Sequence, residues 1–180
     1  MQATSLQCEA GVILKPLEPA NADELFQLVD SNRARLRQWL PWLDQNTKAT
    51  DSAKFIEITQ ADAARGAGFV FGIWVDGELA GVASLLALNK ANRFGSIGYW
   101  VGKKFAGRSL ARKASRALVD FGFQTLNLNR IEIRCATGNL SSQRVAEGLG
   151  FQFEGIARQG ENLYGQFVDH KVYSMLAGDC

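Results

Sequence analysis

Asn139-Leu140-Ser141-Ser142-Gln143-Arg144-Val145-Ala146-Glu147-Gly148-Leu149-Gly150-Phe151 is the stretch from which the fold can be read. Val145 and Leu149 stand four apart and share one face of a short helix, and Gly150 can leave that helix through a left-handed turn. Just upstream, Arg130-Ile131-Glu132-Ile133-Arg134-Cys135 alternates polar and apolar side chains, as a half-buried strand does. A strand thus feeds a helix through a brief loop.

The same order recurs one step earlier. Gly95 to Val101 reads as a strand, and Trp100-Val101-Gly102-Lys103-Lys104-Phe105-Ala106-Gly107-Arg108-Ser109-Leu110-Ala111 leads from it into a helix whose apolar stripe is Leu110, Ala114, Ala117, Leu118 and Phe121. The first N–H groups of a helix have no internal partner and sit at the positive end of its dipole. Small residues at Ala106, Gly107, Ser109 and Ala111 let a ligand reach them, so the loop can hold a diphosphate, with Lys103, Lys104 and Arg108 adding charge. An ordinary solvated loop has the same composition. No Gly-Lys-Ser/Thr phosphate loop and no G-x-G-x-x-G are present, which removes the usual support for a nucleoside triphosphate or dinucleotide site.

Working outward, Phe69 to Val75 and Glu78 to Leu88 are two β-rich runs joined by Asp76-Gly77, a strong hairpin signal. The N-terminal third begins with a short strand at Val12-Ile13-Leu14 and is otherwise mostly helical. Asn21 is a cap candidate ahead of Leu25, Leu28 and Val29. Leu36, Trp39 and Leu40 continue the helical spacing to Pro41, and Asp51 is a cap candidate for a helix ending near Gly66. Val168 to Leu176 reads as a closing strand. No repeat, low-complexity tract or linker divides the chain, so residues 1–180 are expected to form one α+β domain.

Composition excludes several classes. With 47 % hydrophobic and 21 % charged residues the chain is an ordinary globular mixture, and a net charge of +2 is too mild for a dedicated nucleic-acid binder. Cys8, Cys135 and Cys180 are odd in number and scattered, arguing against a disulfide framework or zinc site and for a reducing, cytoplasmic setting. The N-terminal residues carry no export pattern, and no apolar run approaches the roughly 18 residues of a membrane span.

Asn139-x-x-Ser142-x-x-Val145 with the downstream Leu149-Gly150-Phe151 and Glu154-Gly155 resembles the signature of the GCN5-related N-acetyltransferase superfamily. Within it, Ile97-Gly98-Tyr99-Trp100 and Trp39-Leu40-Pro41-Trp42 are similar to segments of the Rim-type ribosomal-protein N-acetyltransferases, including those that modify an N-terminal serine. The likeness runs from about Val12 to Leu176. It implies a mixed, mostly antiparallel sheet of about six or seven strands with helices on both faces, and acetyl-coenzyme A as acyl donor with no metal. The superfamily's donor loop, Gln/Arg-x-x-Gly-x-Gly/Ala, falls here on Lys104, Gly107 and Ser109. Two of the three positions depart, which bears on donor affinity more than on chemistry, because main-chain donors do the holding.

Amine acetylation requires a base, an oxyanion donor and an acid. The resemblance assigns the donor site to the stretch from Trp100 and Val101 through Lys104, Ala106, Gly107, Arg108, Ser109, Leu110 and Ala111, with Asn139 on the pantetheine arm. A bulge at Trp100 or Val101 would free an N–H for the oxyanion. Ser142 becomes the acid near the sulfur, and Glu161 the acceptor of the amine proton, directly or through water. Trp39, Trp42 and Tyr164 would line the acceptor groove. Read without the resemblance, Ser142 is a helix-turn hydroxyl, Asn139 an N-cap, Glu161 a loop carboxylate, and the aromatics core packing. His170, the sole histidine, is left structural. The leading expectation is acetylation of a protein N-terminus, possibly on a ribosomal protein. Alternatives are a small-molecule acetyltransferase acting on a polyamine, amino sugar or amino acid, and a non-catalytic acyl-coenzyme A sensor. The resemblance allows a homodimer.

Overall fold

Asp76 and Gly77 both adopt positive φ (52° and 84°), the geometry of a two-residue hairpin turn, and they join β3 (Phe69–Val75) to β4 (Glu78–Asn89) with Val75 facing Glu78. The structure, a computed structural model, describes residues 4–9 and 11–179; of the residues weighed in the sequence, Met1, Gln2, Ala3 and Cys180 lie outside the described residues. Around that hairpin stand β1 (Leu6–Gln7), β2 (Val12–Pro16), β5 (Phe94–Val101), β6 (Arg130–Ala136), β7 (Gln152–Leu163) and β8 (Gln166–Leu176). They form one sheet in the order β1-β2-β3-β4-β5-β6-β8-β7, antiparallel throughout except where β5 meets β6.

Both faces are covered. Phe69, Phe71 and Ile73 point to one side with Leu85, Ile97, Ile131 and Ile133, under α4 (Leu110–Asp120) and α5 (Leu140–Leu149). Val70 and Val82 point to the other, under α1 (Ala22–Asp30) and α3 (Ala49–Arg65). A strand buried on both faces reads as a continuous apolar run, as Phe69-Val70-Phe71-Gly72-Ile73 does. Gly81 lets β4 and β5 approach: a Cβ there would sit 2.9 Å from Val101 Cα and closer still to Trp100 O. We expect Gly81→Ala to destabilise the fold by about 1–3 kcal/mol in urea titration, because backbone must move.

Eight strands replace the expected six or seven. The two additions are β1 and β7, and β7 is hidden in the sequence by its bulges. Phe153 faces Tyr173 and Ile156 faces Lys171, so an extra residue between them gives a strand the three-residue spacing of a helix. Three helix details also differ. Asn21 does not cap α1, since its Oδ1 accepts from Glu18 N at 2.9 Å. Asp51 lies inside the first turn of α3 and accepts from Thr47 N and Lys48 N. Beyond α2 (Arg33–Leu36), Trp39 and Leu40 continue only as turns closed on Leu36 O.

At the β6–β8–β7 edge, Arg130 binds Glu154 (2.7 Å) and Glu132 (2.6 Å), and Ser174 donates to Glu154 (2.7 Å). The Arg130 guanidinium, helped by Ser174, holds the Glu154 carboxyl down at about 2. A lowered carboxylate stabilises the fold above its unfolded value and loses that contribution as pH falls through the folded one. Glu154→Gln should therefore flatten the acid limb of stability between about pH 4.5 and 2, measured by chemical denaturation at several pH values. Among the described residues no helix is long and apolar enough to cross a membrane.

Candidate active site

The parallel pairing of β5 and β6 runs only from Phe94/Arg130 to Ile97/Ile133. Beyond it, Gly98 to Val101 stay paired with β4 and Arg134 to Ala136 with β8, so the two strands part. Their facing edges are left without ladder partners, which in a buried setting makes them binding groups. The gap opens into a cleft of about 770 Å³ lined by Gly98, Tyr99, Trp100 and Val101 on one side and Arg134, Cys135 and Ala136 on the other. No bulge interrupts β5 at Trp100 or Val101; instead the parting of β5 from β6 leaves the edge of β5 that faces away from β4, at Tyr99 and Val101, without a ladder partner.

One end of this cleft is the start of α4. Gly107 and Ser109 both take positive φ (80° and 56°), turning the loop so that Ser109 precedes the helix without capping it by a side chain. The first N–H groups of α4 are thus open to the cleft, where Ala106, Gly107, Ser109, Leu110, Ala111 and Arg112 form the lining. These residues fit a diphosphate. Lys104 and Arg108 do not line the cleft: Lys104 Nζ is 2.6 Å from Glu78 and Arg108 is 3.6 Å from Asp76, both at the β3–β4 turn. The cationic residues that do reach it are Arg35, Arg112, Arg134 and Arg144, none of which the sequence motifs single out.

α5 enters from the other wall. Asn139 caps it, its Oδ1 accepting from Ser142 N (3.2 Å) and Ser141 Oγ (2.8 Å), and the side chain still faces the cleft. This fixes Ser142 in the first turn, where its Oγ lies 3.0 Å from the Tyr99 hydroxyl, which also donates to Ser142 O at 3.0 Å. Burial pushes the Tyr99 phenol up, so it stays a donor. Burial likewise raises the Cys135 thiol, opposed by a hydrogen bond with Ser142. Tyr99 was legible only as part of a strand, because its role depends on a residue 43 positions away.

The acceptor side is built by the β7–β8 hairpin. Glu161 lies in β7 rather than a loop, and it lines the cleft together with His170 of β8, whose Nε2 is 3.3 Å from Glu161 Oε2. Trp39 closes over this end: a Cβ added at Gly138 would meet its ring at 3.6 Å. Trp42 and Tyr164 do not line the cleft. Trp42 packs 6.4 Å from Trp100, and the Tyr164 hydroxyl donates to Leu40 O (2.6 Å) and accepts from Leu43 N (3.1 Å). They pin the segment that carries Trp39. Among the described residues no group of three or more His, Cys, Asp or Glu is placed to hold a metal.

Residues 12–152 match the family described as the acetyltransferase (GNAT) domain. The chain belongs to this GNAT family. YdaF of Bacillus subtilis, whose name provisionally makes it a ribosomal N-acetyltransferase, is 36 % identical over 167 residues, covering 92 % of this chain and 91 % of its own. The ribosomal-protein-serine acetyltransferase of Escherichia coli is 30 % identical over 152 residues, covering 84 % and 85 %. Among solved structures, RimL, a ribosomal L7/L12 alpha-N-protein acetyltransferase in complex with coenzyme A through a disulfide to one of its cysteines, superposes with a TM-score of 0.93 at 27 % identity, covering 98 % and 99 %. This GNAT chain is accordingly an acyltransferase of the ribosomal-protein acetyltransferase type that draws on acetyl-coenzyme A.

Proposed function

We propose that the protein acetylates the N-terminal amine of another protein, a ribosomal protein in particular, by direct transfer from acetyl-coenzyme A. The observation that carries this reading is that Ser142 and Glu161 open into one cleft between parted strands. Acetyl-coenzyme A supplies an activated acyl group. The α4 N-terminus binds its diphosphate and the free β5 edge its amide-rich arm. Glu161 takes the proton of the attacking amine, the N–H of Val101, which faces away from β4, holds the oxyanion, and the Ser142 hydroxyl gives its proton to the departing sulfur as the C–S bond breaks. Tyr99, whose hydroxyl lies 3.0 Å from Ser142 Oγ, holds that hydroxyl in place; after transfer Ser142 regains a proton from solvent and Glu161 releases the amine proton to it. The names of the similar proteins favour a protein acceptor, and that acceptor puts the enzyme in the cytoplasm, where ribosomal proteins are made.

The test is a thiol-release assay with acetyl-coenzyme A over peptides copying ribosomal-protein N-termini, polyamines, amino sugars and amino acids. The expected result is turnover on peptides with a free α-amine and none when that amine is blocked. Preference for a small amine overturns the protein acceptor, and coenzyme binding without turnover on any amine makes the chain a sensor.

A further inference from the structure

His170 belongs to the site, although as a lone histidine it carried no signal of its own. It sits on β8 opposite Ala136 of β6 and Ala157 of β7. Beside it is Gly160, where a Cβ would come within 3.3 Å of His170 Cβ. Three small neighbours leave room for an imidazole that is 13 % exposed and faces the cleft.

The backbone of β7 is deformed to bring a carboxylate to it. Ala157 faces His170 and Glu161 faces Val168, so two extra residues are folded into β7 between these pairs. The bulge is held by Gln159, with φ 50° and its N–H donating to Asp169 Oδ1 at 2.8 Å. In an unbroken ladder Glu161 would stand two residues farther along the hairpin, roughly 6–7 Å away at the rise of a strand. Bulges next to active sites serve to re-aim a side chain. Here the re-aimed group ends with Oε2 3.3 Å from His170 Nε2, and no group among the described residues pairs with its Oε1. The other charged groups near the imidazole are engaged elsewhere or farther off: Lys171 Nζ binds Gln143 Oε1 at 2.8 Å, Asp169 holds the bulge, and Arg134 binds Glu132 at 2.8 Å.

We propose that His170 is the positioning residue of amine deprotonation, its Nε2 fixing one oxygen of Glu161 so that the other faces the incoming amine. This rests on the role given to Glu161 above. With its proton on Nε2 the ring ties down a carboxylate that would otherwise rotate about three side-chain bonds.

The experiment has two arms on the full chain. In the first, His170→Phe and His170→Gln are assayed with the best N-terminal peptide. His170→Phe should lower kcat on the order of 10- to 100-fold with KM for acetyl-coenzyme A unchanged, and His170→Gln, whose amide reaches a similar point as a donor, should recover most of the rate. Wild-type kcat in His170→Phe, or a loss seen only in KM for acetyl-coenzyme A, overturns the proposal. In the second arm the single histidine gives one set of ring 15N resonances, so no assignment is ambiguous. Glu161→Gln should displace the Nε2 resonance, and an unmoved resonance overturns the pairing. If the wild type acetylates no amine, the functional reading has failed by itself, and this second arm still decides the pair; it decides likewise if His170→Phe does not fold.

Discussion

Ser142→Ala is expected to lose kcat by a factor on the order of 10²–10⁴ while coenzyme A binding, measured by calorimetry, stays within a few-fold of wild type. The reason is geometric. Asn139 receives the backbone N–H of Ser142 and not its hydroxyl, so the cap that starts α5 survives the substitution. Tyr99 keeps its hydrogen bond to Ser142 O, so the wall of the cleft survives as well. What disappears is the one hydroxyl on α5 held against the Tyr99 phenol, and with it the proposed route by which a departing sulfur is protonated. A variant with wild-type turnover would take the acid role away from Ser142 and give it to Tyr99 or to water.

Ala111→Asp separates donor binding from chemistry and from folding. Ala111 lies in the first turn of α4 and lines the cleft. A carboxylate there suits the positive end of the helix and should raise stability slightly, by about 0.3–1 kcal/mol. It also occupies the field that the diphosphate needs. Two negative groups roughly 5 Å apart at a partly solvated site repel by about 2–3 kcal/mol, so Kd for coenzyme A should rise on the order of 100-fold. Calorimetry and a thermal melt on the same sample read the two opposite signs. An unchanged Kd would mean that the diphosphate lies elsewhere, and the account of the α4 cradle would fall.

The legible part of this protein is the part whose partners are near in sequence. Asp76-Gly77 determines its own turn, the alternation of Arg130 to Cys135 reports a strand with one polar face, and Asn139 with Ser142 spells out a cap three residues long. Family resemblance pointed to a donor loop, of which Ala106, Gly107, Ser109, Leu110 and Ala111 line the cleft while Lys104 and Arg108 do not. The illegible part depends on pairings across the chain. Lys104 looks like a phosphate ligand until the hairpin carrying Glu78 is folded beside it. Tyr164 looks like groove lining until its hydroxyl meets Leu40 and Leu43, more than a hundred positions away. His170 gains a role only through a strand whose bulges disguised it as a loop.

The two halves of the site ride on different parts of the sheet. The proposed grip on the donor lies on β5, α4 and α5, whose helices pack into the main core, whereas Glu161 and His170 sit on the outermost hairpin, where β7 has a single neighbour. In this proposal acceptor choice and thioester recognition are carried by different strands, joined where Lys171 and Tyr173 of β8 bind Gln143 and Glu147 of α5. Exchanging residues 152–176 as a cassette between similar chains should retune which amine is modified while leaving the shared acyl carrier undisturbed.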